Sequence, residues 1–86
     1  MKMPKRSFRT SSFYLAAFLY ASGGELISLD RIENQRRAEF VFKSSTELER
    51  VAHDFDFAPE NSGAAVVDAR KLIYAIKTLK DKLYQR

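Results

Sequence analysis

The densest grouping of side chains able to hold a metal ion is His53, Asp54, Asp56 and Glu60. One imidazole and three carboxylates could form an oxygen-rich site. The spacing favours a plainer reading. His53 falls in the last turn of a helix, where the dipole favours a cation, and Glu49 four residues earlier can pair with it. A fraying helix end does not supply a rigid ligand set, so no metal site is expected. Catalytic groups are equally sparse. The 86 residues contain no Cys and one His, which excludes a thiolate zinc site, an iron–sulfur cluster, a disulfide framework and a cysteine nucleophile. A serine nucleophile needs a neighbouring base, and acid–base work needs a group held in a cleft that so short a chain seldom encloses. Gly23-Gly24 follow a helix, whereas a phosphate-cradling glycine loop precedes one. The expectation is a protein that is not an enzyme, with no cofactor and no small-molecule substrate.

The cations are more informative. Lys2, Lys5, Arg6 and Arg9 stand in the first twelve residues without an acid, and account for the whole net charge of +4. From Glu25 to Glu60 nine acids face five bases, a local balance of −4; after Glu60 six bases face two acids, a balance of +4. A basic arm, an acidic middle and a basic end are thus hidden by the net figure. The candidate nucleic-acid contacts are Lys2, Lys5, Arg6 and Arg9 on the arm. Arg36 and Arg37, with Arg31, join them near a hairpin tip. Arg70, Lys71, Tyr74, Lys77 and Lys82 are the candidates on the last helix. Lysines and arginines neutralise phosphates without reading bases, and interleaved tyrosines can stack on them. Against this, exposed helix faces are commonly basic or mixed, and a tyrosine often lies along its neighbour with only the hydroxyl wet. No zinc finger, aromatic RNA-binding pair or helix-turn-helix motif is present.

These side chains must be positioned by a single small domain, since composition is that of a globular chain, 45% hydrophobic and 30% charged. Residues 1–11 read as a flexible basic arm and 12–86 as the domain. Ser12 is placed to cap a helix from Phe13 to Ser22 that ends at Gly23-Gly24. This helix is apolar all round, so it should be central or lie in a subunit interface. Its nine-residue apolar run after four cations also imitates a secretory signal, but Tyr14 and Tyr20 interrupt it and the run is too short to span a membrane. A buried core helix in a cytoplasmic protein, with no membrane partner, is the preferred reading.

Alternation then marks two strands: Ile27 and Leu29 against Ser28 and Asp30, and Phe40 and Phe42 against Glu39, Val41 and Lys43. A turn centred on Glu33-Asn34-Gln35 joins them into an antiparallel hairpin with one wet side. Ser44 with Glu47 has the spacing of a capping box before the stripe Leu48, Val51, Ala52 and Phe55. Pro59 and Asn61-Ser62-Gly63 end that helix, Val66-Val67 suggests a short extended piece, and Asp68 caps a last helix running to about Tyr84. Ala69, Leu72, Ile73, Ile76, Leu79 and Leu83 share its apolar arc, opposite Arg70, Tyr74, Lys77, Asp81 and Tyr84.

The order of these signals resembles a small uncharacterised domain family of bacteria and their phages. The resemblance lies in Leu15-Ala16-Ala17-Phe18-Leu19 leading to Gly23-Gly24, in Phe40-Val41-Phe42, in Val67 to Lys71, and in Leu79 to Tyr84. Many members carry an acid where Ser12 stands, and either residue type caps a helix. The family brings no established activity, so the resemblance implies a fold and leaves function to the residues.

The sequence therefore predicts an α+β domain: helix, hairpin, helix, a short extended piece and a long last helix, with the helices on the Phe40/Phe42 face. The expected core is Leu15, Phe18, Leu19, Ile27, Leu29, Phe40, Phe42, Leu48, Val51, Phe55, Leu72, Ile76, Leu79 and Leu83. The expected function is a non-catalytic binding module with nucleic acid as first partner. The alternative is a protein-interaction or self-assembling module, in which the basic last helix of one copy pairs with the acidic middle of another.

Overall fold

A computed structural model of the chain describes residues 7–31 and 38–84. Within them the order is β1 (Ser7–Thr10), α1 (Phe13–Ala21), β2 (Leu26–Arg31), β3 (Ala38–Lys43), α2 (Thr46–Phe57) and α3 (Ala69–Leu83). The expected α+β architecture is present, with one strand more than the sequence suggested. Ser7–Thr10, read as part of the arm, pairs antiparallel with β3, placing Phe8 opposite Phe42 and Thr10 opposite Phe40. The sheet order is β1-β3-β2, so the phenylalanine strand is central and both its edges are covered. Phe8 joins the helix-facing side of the sheet and packs against the core. The turn expected at Glu33-Asn34-Gln35 lies outside the described residues, and Val66-Val67 carry no regular structure.

Local chemistry sets the helix ends. The Ser12 hydroxyl accepts from the Leu15 N–H at 3.2 Å, capping α1 as its position predicts. At the other end the Gly24 N–H donates to the Leu19 carbonyl at 2.8 Å and the Gly23 N–H to that of Tyr20 at 3.1 Å. These two bonds make a Schellman motif, with Gly23 at φ 102° in the left-handed region. Gly24 is needed for a different reason. A Cβ there would lie 2.9 Å from both the Leu19 carbonyl oxygen and Leu48 Cδ1, where α1, α2 and the sheet converge. Asp68 caps α3 by accepting from Arg70 N–H at 2.8 Å and Lys71 N–H at 3.3 Å.

The cap of α2 differs from the expected one. Ser45, not Ser44, accepts from the Leu48 N–H at 3.0 Å, so the helix starts one residue later and Glu47 is out of capping-box register. The freed Ser44 hydroxyl donates to Glu49 Oε2 at 2.6 Å. Glu49 is thereby engaged away from His53, whose ring instead lies 4.9 Å from that of Phe57.

α1 is the centre of the core, packed against α2, α3 and β1. Leu15, Ala16, Ala17, Phe18 and Leu19 are all buried, as are Phe40, Phe42, Leu48 and Leu79. Val51, Leu72, Ile76, Leu83 and Leu29 pack at the margin, half-buried. Four alanines, Ala16, Ala17, Ala52 and Ala75, complete the buried cluster; their small side chains let the helices approach closely where the sequence reading favoured larger residues.

Two expected core residues are displaced. Ile27 is 51% exposed because the β2–β3 register shifts between Leu26 and Ser28. Ile27 is the extra residue of this β-bulge, and Leu26 takes the inward place opposite Phe42. Phe55 is 36% exposed, yet its ring stacks at 5.0 Å on that of buried Phe18. In α3, Ile73 departs from the apolar arc and is 55% exposed.

Candidate nucleic-acid interface

The solvent-facing side of the sheet shows what becomes of Arg9. Its guanidinium donates to Asp30 Oδ2 at 3.0 Å and to Glu39 Oε1 at 3.1 Å. Arg9 is on one edge strand and Asp30 on the other, so the side chain reaches across the central strand to the register position that Glu39 and Asp30 share. Val41, on the wet face by alternation, is nonetheless only 4% exposed. The hydroxyl of Ser28 donates to the other oxygen of Asp30 at 3.0 Å, completing a polar strap across three strands. The hydrogen bonds of Asp30, first, and Glu39 push the Arg9 pKa up from an already high value. Arg9 is fully charged, but its charge is answered within the chain.

Arg31 is also occupied: its guanidinium donates to the Leu83 carbonyl, tying the end of β2 to the last turn of α3. Lys2, Lys5, Arg6, Arg36 and Arg37 lie outside the described residues.

The remaining candidates are brought together by α3. Capping by Asp68 fixes where the helix begins, and burial of Ala75 and Leu79 fixes its rotation. Arg70, Lys71, Tyr74, Lys77 and Lys82 are then all exposed, Tyr74 at 67%. Lys80 adds a cation to the same helix, and Asp81 is its one acid among the exposed positions. Among the described residues, no carboxylate lies within ion-pairing distance of these lysines or of Arg70. Arg70, Tyr74 and Lys77 follow one another at helical spacing, so the ring stands between two cations.

Packing of α3 on α1 creates a feature the sequence did not disclose. A depression of about 410 Å³ opens between the C-terminal turn of α1 and the first turns of α3, lined by Tyr20, Ala21, Arg70, Lys71 and Tyr74. Tyr20 is half-buried and packs against the core, forming a fixed side of the depression; Tyr74 stands free. Tyr20 and Tyr74 are 54 positions apart in the chain, so no local pattern could have paired them.

A small α+β domain with a central helix and a three-stranded antiparallel sheet is the class of protein that the fold defines. The chain belongs to the family described as domain of unknown function DUF5659, whose model matches residues 5–85. That span contains every described element, β1 included. No curated protein and no solved structure matches the chain.

Proposed function

We propose that this domain is a non-catalytic binding module that associates with the phosphate backbone of nucleic acid through the exposed face of α3. The observation that carries this reading is the set of Arg70, Lys71, Lys77 and Lys82, exposed on one rigid helix and unanswered by any described carboxylate. A cation already paired gains little from a phosphate, because it must give up its partner; an unpaired surface cation releases a counterion from the polymer instead. On this ground Arg9 leaves the contact set, and among the described residues α3 supplies the unpaired cluster.

The test is a titration of fluorescent mixed-sequence DNA and RNA at several salt concentrations. Three or four phosphate contacts give a slope of log K against log salt between about −2 and −4. Binding that is absent at low salt, or insensitive to salt, overturns the reading.

The protein-interaction alternative draws on the all-round apolarity of α1, but that helix is covered by α2, α3 and the sheet of its own chain. What supports it now is a separate depression of about 590 Å³ of mixed lining, in which Phe18, Phe55, Val66 and Leu72 stand beside Glu60 and Asn61. Sedimentation tests self-association through it: a concentration-dependent rise in mass favours that reading, and a monomer at all concentrations opposes it.

A further inference from the structure

Resting on that backbone reading, we propose that the depression beside Tyr74 seats one unpaired base, so that the α3 face selects single-stranded over duplex nucleic acid. Four observations converge on it. The floor and walls combine two tyrosines with an alanine, an apolar surface suited to a flat ring. The volume, about 410 Å³, stands at the small end of the range for ligand sites. Arg70 and Lys71 belong to the same lining, while Lys77 follows Tyr74 by about one helical turn. A strand whose base lies against Tyr74 therefore meets a cation on either side, where its flanking phosphates must run.

The chemistry also decides between ligands. A paired base has its faces covered by its neighbours and cannot enter without being extruded, which costs a few kcal/mol. A base in a single strand is free to leave its neighbours and stack on a side chain. The lining holds no amide and no carboxylate to read a base edge, and with Arg70 and Lys71 engaged by the flanking phosphates the seat recognises a π-face and not a sequence. The only neutral hydrogen-bonding side-chain groups in it are the two phenolic hydroxyls.

The experiment compares three probes of equal length on the intact protein: a mixed-sequence DNA strand, its blunt duplex, and an abasic sugar–phosphate strand. Anisotropy should rank the normal strand about 5- to 100-fold tighter than the abasic one. Tyr74→Ala should lower affinity for the normal strand to the abasic level, leave the duplex within about twofold, and keep the salt slope. Because Tyr74 is 67% exposed, that variant should melt with the parent. Lys77→Gln should weaken all three probes alike and flatten the slope. Equal affinity for normal and abasic strands, or an unchanged Tyr74→Ala, overturns the base seat while the backbone reading stands. No binding of any probe at low salt overturns both.

Discussion

Gly24 has no side chain because three elements meet where one would be. The position of the missing Cβ, 2.9 Å from a backbone oxygen and from Leu48 Cδ1, leaves no room for a methyl group without moving α1 against α2. Gly24→Ala should destabilise the domain by about 1–3 kcal/mol, read as a lowered melting temperature. Gly23→Ala should cost about 1–2 kcal/mol by a different route, since its φ of 102° strains any residue with a Cβ. Arg9 provides the contrasting case of a charge whose value to a ligand is set by its neighbours. Arg9→Gln should leave the salt slope of nucleic-acid binding where it was, because Asp30 and Glu39 already answer that guanidinium. A slope that flattens on this substitution would mean that Arg9 leaves its carboxylates for phosphate. The types of these residues were legible in the sequence; their partners were not, because Arg9 stands on a segment that reads as an arm and finds its acids 21 and 30 positions away on β2 and β3.

Elements whose ends are written in local chemistry were the most legible. Ser12, Gly23 and Asp68 each satisfy orphan backbone groups within five residues, and each stands where the sequence predicts. α2 marks the limit of that legibility. Two adjacent serines offer the same hydroxyl, and in the folded chain Ser44 turns to Glu49 while Ser45 caps. Ser45→Ala should therefore cost about 0.5–2 kcal/mol in thermal or urea unfolding, and Ser44→Ala less; the reverse order would restore the capping box of Ser44 with Glu47. The strands hid more. In β2 the alternation Ile27, Leu29 is real in sequence but is broken by the bulge, which passes the inward place to Leu26. β1 has one large apolar residue in four, Phe8, too little for a period to register. Phe42→Ala, at the fully buried centre of the sheet, should cost about 3–5 kcal/mol, whereas Ile27→Thr on the exposed bulge should fall within about 0.5 kcal/mol of the parent.

The molecule as a whole divides its charges by location. On the wet side of the sheet a base is matched by acids; on α3 the bases are left to solvent. The candidate surface was half legible for this reason: the basic helix face follows from periodicity, but its depression requires α1 and α3 to pack, a long-range contact no window reveals. The same division corrects the role of the N-terminal segment. Deleting residues 1–10 removes β1 from the edge of β3, so the expected result is a large loss of thermal stability; an unchanged melt would mean that Ser7–Thr10 act as an arm. Charge must accordingly be removed by substitution on α3. The decisive measurement is the salt-dependent titration of a single strand against the parent and a variant carrying Arg70→Gln, Lys71→Gln, Lys77→Gln and Lys82→Gln, all exposed positions. The account predicts a parent slope between about −2 and −4 that collapses toward zero in a variant melting like the parent. A variant that stays folded and keeps the parent's slope would contradict it.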